Sequence, residues 1–224
     1  MTPCTIPLSG ADLTPLPSGA LWWAEERVMC VSDLHLGKSE RIARRGGALL
    51  PPYDTVETLD RLRADLAAHA AETVILLGDS FDDLDAARGL GDTVRGTLSV
   101  LMAGRRWIWI EGNHDPGPVD IGGTHLAEYV HGPLTFRHIA ARDPQEGEVS
   151  GHYHPKASLA LGGRRVTSSC FVTDGQRLIL PAFGAYTGGL AVSHPAIAGL
   201  LGPGARVILT RAPRHAIPFE RLVA

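Results

Sequence analysis

The sequence has little that would hold together an exported, membrane-spanning or strongly basic chain. Three cysteines, Cys4, Cys30 and Cys170, occur in 224 residues, an odd number with no Cys-x-x-Cys pair. Neither a disulfide framework nor a thiolate zinc site is therefore expected, and a reducing, cytoplasmic setting fits best. Long apolar runs are also missing. Charged or turn-forming residues interrupt each one well short of the roughly 20 residues that cross a bilayer, and no basic stretch leads into an apolar segment and cleavage site at the N-terminus. A soluble, unexported protein is the expectation. Nor does one sign of charge dominate: 21 Lys and Arg against 24 Asp and Glu give a formal net charge of -3. A globally basic nucleic-acid binder is excluded, so any polyanion must be met by a local patch. There is no internal repeat and no flexible linker. With 44% hydrophobic residues, the chain reads as one domain, residues 1–224.

What is present is a strand and helix alternation followed by a run of short strands. Residues 1–20, rich in Pro, Ser and Gly, read as an irregular arm. Leu21 to Trp23 and Arg27 to Val31 read as strands. From Thr55 to Ala71 the apolar positions Val56, Leu59, Leu62, Leu66 and Ala70 recur at three and four residues, the period of an amphipathic helix. Thr73 to Leu77 is a strand buried on both faces, Leu84 to Ala103 a helix, and Arg106 to Ile110 another strand. This is an α/β order. Beyond Asp115, six short segments separated by Gly and Pro predict a second, largely antiparallel sheet: Leu134 to Arg137, Glu148 to Ser150, Ala157 to Leu161, Ser169 to Thr173, Arg177 to Leu180 and Arg206 to Leu209. Two packed sheets flanked by helices are expected, with Pro181 to Gly189 and Pro195 to Gly204 as loops.

Chemistry collects where strands end. Asp33 and His35 follow one, and if the extended backbone continues, both side chains point to the same face. On its own the pair equally describes a capped turn with a locally packed histidine. Asp79 follows a buried strand and Gly78, where α/β proteins hold their ligands, although a Gly-Asp turn is common. Asp82 stands where it can hydrogen-bond to a histidine ligand and fix its tautomer. Asn113, His114 and Asp115 follow Gly112 after a third strand. A free imidazole beside a metal site can protonate a leaving oxygen, and Asp115 can orient it, so His114 and Asp115 are the catalytic candidates. His138 ends a further strand, and His152 and His154 follow Gly151. Five of the ten histidines thus fall at strand ends, a coincidence that favours a metal centre over five separate turns.

The remaining histidines, His69, His125, His131, His194 and His215, have no comparable neighbours and read as surface or structural residues. The tryptophans read as core. Ser168, Ser169 or Cys170 as a nucleophile lacks both a nucleophile elbow and a partner base.

Taken together, DLH at Asp33, GDSFDD from Gly78, GNHD from Gly112, the lone His138 and GHYH from Gly151 resemble the calcineurin-like metallophosphoesterases. The resemblance implies a four-layer αββα sandwich of two mixed sheets flanked by helices. It places one ion on Asp33, His35, Asp79 and His154, and a second on Asp79, Asn113, His138 and His152, with Asp79 bridging. VSDLHLGKSERIARRGGALLPPYDTVETLDRL, GHYHPKA and LPAFGAYTGG are similar to the bacterial DNA-ligase-associated metallophosphoesterases. That likeness implies DNA repair, nuclease or phosphodiesterase activity, single-stranded DNA as substrate, and functional association with a DNA ligase and other repair enzymes. Two positions depart from the pattern: Asp82 stands where His is expected, and Ile139 and Ala140 follow His138 where Glu-Pro is expected.

Two carboxylates facing two dications leave about two units of positive charge, which attract a phosphate. Imidazole, amide and carboxylate donors without thiolate point to Mn, Fe or Zn rather than Ca or Mg, and the resemblance puts Mn first. Lys38, Arg41, Arg44 and Arg45 crowd the segment after the first motif and are candidates for holding a nucleic-acid backbone, as well as fitting a solvated basic loop. A small phosphodiester or monoester is the alternative substrate, and a non-catalytic scaffold the alternative function.

Overall fold

A computed structural model describes residues 4–47, 51, 53–117, 120–143, 145–162, 164–211 and 216–222. Seven strands form the first sheet in chain order: β1 (Ile6–Leu8), β2 (Ala11–Pro15), β3 (Leu21–Trp23), β4 (Val28–Val31), β5 (Thr73–Leu76), β6 (Arg106–Ile110) and β7 (Thr124–Leu126). Pairing is antiparallel from β1 to β4 and parallel from β4 to β7. The later strands are β8 (Glu128–His131), β9 (Leu134–Arg137), β10 (Glu148–Ser150), β11 (Lys156–Leu161), β12 (Arg164–Thr173), β13 (Arg177–Ile179), β14 (Arg206–Leu209) and β15 (Ile217–Pro218). They form a second, mixed sheet in the order β15-β14-β12-β13-β10-β9-β8, with β11 paired to β12. Only β10 pairs in parallel, with β9 and β13, so the sheet is largely antiparallel.

Side-chain alternation fixes the layers. Ile108 and Ile110 of β6 enter the core between the sheets, where they meet Phe136, Val149, Phe171 and Leu178. Trp107 and Trp109, from the same strand, face the other way and pack under helices α2 (Asp54–Ala68) and α4 (Asp92–Met102) with Leu59, Leu62, Leu66, Leu98 and Leu101. Both tryptophans are core residues. The outer face of the second sheet is covered more thinly, by Val192, the four-residue helix α5 (Pro195–Ala198) and the segment around Phe219.

Residues 4–20 are not an irregular arm. Ser9 and Gly10, both in the left-handed region at φ 48° and 86°, close a two-residue hairpin between β1 and β2. Burial of Ile6, Leu8 and Leu13, at about 1.5–3 kcal/mol each, outweighs the poor strand propensity of Pro7 and Pro15, and Pro7 sits on the sheet edge where its missing N–H is tolerated. The helix expected from Leu84 to Ala103 is broken into α3 (Leu84–Arg88) and α4, because Gly89 and Gly91 flank the break and each disfavours helix by about 1 kcal/mol. Two short helices were not expected: α1 (Lys38–Arg44), and α5, which starts the Pro195 to Gly204 segment read as a loop.

A buried ion pair ties the second sheet to the loop after His138. Arg177 and Glu148 are both fully buried, with Arg177 Nη1 2.9 Å from Ala141 O and 3.6 Å from Glu148 Oε1. Glu148 Oε2 accepts from Ala141 N at 2.9 Å and lies 3.5 Å from Arg137 Nη1. Removing one partner strands the other charge, so Arg177→Ala should lower unfolding free energy by roughly 3–5 kcal/mol, while Arg177→Met with Glu148→Leu should recover much of it. Urea denaturation checks both; an unchanged midpoint in Arg177→Ala would show that Arg137 alone balances Glu148.

Candidate metal centre

The C-terminal ends of β4, β5, β6, β9 and β10 meet at one edge of the sandwich. Their backbone does not stay extended there. Asp33, His35, Asp79, His152 and His154 all adopt left-handed conformations, with φ of 51°, 47°, 47°, 71° and 46°. The idea that an extended chain points Asp33 and His35 to one face is therefore corrected: the chain bends at each residue, and convergence comes from the bends. A left-handed non-glycine residue is disfavoured by about 1–2 kcal/mol, so the surrounding contacts must enforce five of them. The pairing of β4 with β5 continues past the strand ends through His35 N to Asp79 O and Leu36 N to Ser80 O, each 2.9 Å. Gly112 and Gly151 allow the close approach; a β-carbon on Gly112 would overlap Asp79, and one on Gly151 would overlap Ser32 Oγ.

Three groups of donors result among the described residues. Asp33, His35 and His154 form the first, Asp79, His138 and His152 the second, and His35, Asp82 and His114 a third that shares His35 with the first. His154 Nε2 lies 3.1 Å from Asp33 Oδ1. In the second group His138 Nε2 is 3.0 Å from Asn113 Oδ1, 3.2 Å from His152 Nδ1 and 3.5 Å from Asp79 Oδ2. His152 and His154, two residues apart, go to different groups. All seven residues expected to hold metal are therefore brought together.

The hydrogen bonding fits cations. His138 Nδ1 is 2.7 Å from Leu77 O; a carbonyl only accepts, so Nδ1 carries a proton, and Nε2 is the nitrogen turned towards Asn113, His152 and Asp79. His35 Nε2 is buried without a hydrogen-bond partner, and Asp33 Oδ1 and His154 Nε2, 3.1 Å apart, face each other without a well-directed hydrogen bond. Buried polar atoms left this way destabilise a fold unless something else satisfies them. A divalent ion in each of the first two groups would do so. The ionisation pattern agrees: burial pushes the Asp79 carboxyl up, but the His138 ring and the His114 backbone N–H more than offset this and hold it down at about 2. Burial likewise raises Asp33, and His154, His138 and Ser32 bring it below its usual value. Burial lowers His138, yet Asp79 and Asp33 raise it overall, whereas His152 is lowered by burial and by His138.

Around these groups the structure redistributes the expected roles. Asp115 does not orient His114. Its carboxylate accepts four backbone N–H groups, from Asp79 and Gly112 at 3.0 Å, Ser80 at 2.8 Å and Phe81 at 3.2 Å, and so clamps the Asp79 loop to the Gly112 turn. Burial, helped by the neighbouring Asp79 charge, still raises its pKa to about 6. The His114 ring is instead held by Asp82 O, 2.8 Å from Nδ1, and stands edge-on to His35 with centroids 5.1 Å apart. The Asp82 carboxylate lies 2.9 Å from His35 Nδ1, as a histidine ligand's partner should. Burial opposes its ionisation, but His35, Arg41 and Lys38 hold it well below the usual carboxylate range. The basic segment is consequently spoken for: Arg41 pairs with Asp82, Lys38 Nζ lies 3.6 Å from it, and Arg44 and Arg45 lie 2.9 and 4.0 Å from Asp83. Ile139 is exposed at the mouth beside Asn113 and His138, and Ala140 is buried.

Comparison with known proteins agrees with this geometry. The model of the calcineurin-like phosphoesterase family matches residues 26–176. The chain belongs to that family. This calcineurin-like phosphoesterase is a metal-dependent phosphoester hydrolase, and its structure is similar to the crystal structure of Pseudomonas putida nuclease MPE, with TM-score 0.72 and 28% identity over 97% of this chain and 100% of that one. Comparison with curated proteins finds no match.

The other histidines have structural work. His69 bonds Asp65 O, His131 lies 2.9 Å from Glu26 Oε2, His125 stacks on Trp109, and His194 caps α5. His215 lies outside the described residues. Ser168 Oγ bonds Ser169 O, and Cys170 is fully buried, so neither is an exposed nucleophile. Sequence reasoning missed Ser32, whose hydroxyl donates to Asp33 Oδ2; its place directly before Asp33 was the available signal. Because four N–H groups depend on Asp115, Asp115→Ala should destabilise the protein by about 3–5 kcal/mol, with Asp115→Asn in between. Denaturant unfolding with metal analysis checks this, and wild-type stability in Asp115→Ala would refute the clamp.

Proposed function

We propose that this calcineurin-like phosphoesterase is a manganese-dependent phosphodiesterase that cuts single-stranded DNA and belongs with the DNA-ligase-associated group acting in repair. The observation that carries the reading is the position of Asp79 Oδ2, 4.0 Å from His35 Nε2 and 3.5 Å from His138 Nε2, between the first two donor groups. Asp33, His35, Asp79 and His154 would hold one ion, and Asp79, Asn113, His138 and His152 the other. Likeness to the Pseudomonas nuclease supports a nucleic acid as substrate. The imidazole-rich, thiolate-free donor set supports Mn, Fe or Zn, and the family resemblance favours Mn. Buried, reduced thiols at Cys30 and Cys170 support a cytoplasmic setting.

When bound, a pair of dications supplies an activated water for in-line attack and neutralises the phosphoryl oxygens. The chain's own residues do the rest. His114 is oriented by the Asp82 carbonyl at Nδ1, which leaves Nε2 for the substrate. In its imidazolium form Nε2 donates a proton to the leaving oxygen, and no covalent enzyme intermediate is required. The Asp82 carboxylate, 2.9 Å from His35 Nδ1, fixes the orientation of that ring.

Two measurements test the proposal. Manganese-loaded protein should cleave labelled single-stranded DNA and also hydrolyse bis-p-nitrophenyl phosphate; turnover of the small ester without DNA cleavage would overturn the nuclease reading and leave a small-ester phosphodiesterase. Asp79→Asn should lose metal as well as activity, because it faces both groups. His114→Ala should keep its metal and lose about 10²–10⁴ in kcat. Equal, small losses in the two variants, with full metal content in both, would contradict the bridging role.

A further inference from the structure

The described structure has two cavities beside the metal-centre edge with opposite charge character, and the difference bears on where a substrate strand runs. Next to Asn113 and His138 the cavity is lined by Glu111, Glu128 and Arg137, and Arg137 is committed to Glu128 at 2.9 Å. Phosphate is repelled there. The second cavity, of about 520 Å³, is lined by Arg61, Lys156 and Arg211 with the hydroxyls of Ser168, Thr187 and Thr210, and no carboxylate lines it.

This cavity opens at the same edge as the metal centre. Strand β13 runs parallel to β10, so the loop that leaves β13 emerges beside Gly151, His152 and His154. That loop contacts the centre directly, since Gly184 N donates to Asp33 O at 3.1 Å. Strands β12 and β14 are antiparallel, and Thr210 N bonds Ser169 O at 3.0 Å, which puts Arg211 at this edge too. Lys156 follows His154 by two residues, and its Nζ donates to Thr187 O at 3.5 Å. Arg61 braces the loop through Phe183 O at 2.9 Å and shares an exposed contact with Glu57. Among the described residues Lys156 makes no ion pair, whereas Lys38 and Arg41 share the buried Asp82 carboxylate.

Tyr186 adds a second, independent feature. It stands on the same loop between Gly184 and Thr187, 42% exposed, with φ at 59°. A bulky residue is disfavoured in that conformation; its loop lines the cationic groove through Gly184 and Thr187, and an exposed aromatic ring is what single-stranded nucleic acid uses for base stacking.

We infer that the cavity lined by Arg61, Lys156 and Arg211 is the path of a single-stranded nucleic acid leaving the metal centre, with these cations on its phosphates and Tyr186 against a base. The inference rests on the nuclease reading and assigns the strand to this side rather than to the Glu111 side. The test compares Lys156→Gln with Arg211→Gln, as a double variant, against a control double variant, Arg63→Gln with Arg88→Gln, which removes the same charge from exposed sites elsewhere. Binding of a fluorescein-labelled phosphorothioate oligothymidylate, which resists hydrolysis, is followed by anisotropy on manganese-loaded protein, and DNA cleavage and bis-p-nitrophenyl phosphate turnover are measured alongside. The cleft variant should bind the strand at least about tenfold more weakly and lose about 1.4 from the slope of log affinity against log salt, 0.7 for each phosphate contact. KM for DNA should rise with it, while small-ester turnover and melting temperature stay within error. Tyr186→Ala should weaken binding severalfold without changing the salt slope. Charge-retaining Lys156→Arg with Arg211→Lys should restore affinity. Equal binding by cleft and control variants, with wild-type protein still cleaving DNA, would overturn the path alone. Wild-type protein that neither binds nor cuts DNA, while hydrolysing the small ester, would overturn both the path and the nuclease reading.

Discussion

Asp33 and Asp79 are carboxylates buried to 0% and 3% exposure within one cluster, and a charge moved out of water is retained only when opposite charge stands beside it. Much of the surrounding architecture answers that constraint. Asp33 receives a hydroxyl and a backbone N–H on Oδ2, while Oδ1 faces His154. Asp79 receives the His114 N–H on Oδ1, while Oδ2 faces His138 and His35. In each carboxylate one oxygen is satisfied by the protein and the other is turned towards imidazole nitrogens. Hydrogen bonds alone leave the inner oxygens and nitrogens facing one another, an arrangement that divalent cations would resolve.

The left-handed bends belong to the same constraint. Five residues that would rest more comfortably in extended or helical conformations are held at positive φ, and the forces holding them are backbone bonds between neighbouring loops and the Asp115 carboxylate. Rigid positioning of a ligand set generally requires such support from residues that never touch the ligand. Asp115 supplies it from four N–H groups, and Gly112 and Gly151 supply it by having no side chain where backbones must touch.

Much of this was legible in the sequence, because a strand buried on both faces followed by Gly and a polar residue is a local pattern. β5, β6 and β10 lead into Gly78, Gly112 and Gly151 in this way, whereas β4 and β9 lead directly into Ser32 and His138, and the donor residues at all five ends were read with the strands. What the pattern could not carry was conformation: an alternating Asp-x-His looks extended in one dimension, and only the cross-loop bonds from His35 to Asp79 reveal the bend. The β1 and β2 hairpin was hidden for a different reason. Pro7, Pro15 and Ser9-Gly10 speak for irregular chain, and the burial that overrides them comes from a partner sheet distant in sequence. Asp115 was misread because its partners, Ser80 and Phe81, lie over thirty residues away.

Asp82 shows how one residue can redistribute charge. Its carboxylate touches His35, Lys38 and Arg41, and its carbonyl orients His114, so a single residue links two histidines of the cluster and the basic segment. A neutral histidine at this position would leave Lys38 and Arg41 with uncompensated charge beside the metal centre. With Asp82 present, those two cations share one carboxylate, so part of their charge is offset internally. Overall net charge is no guide to this, since a chain of formal charge -3 can still present a local cationic surface. The cations not spent on holding the fold are then the ones to weigh, and on the edge that carries the ligands they lie on the β11, β12 and β14 side.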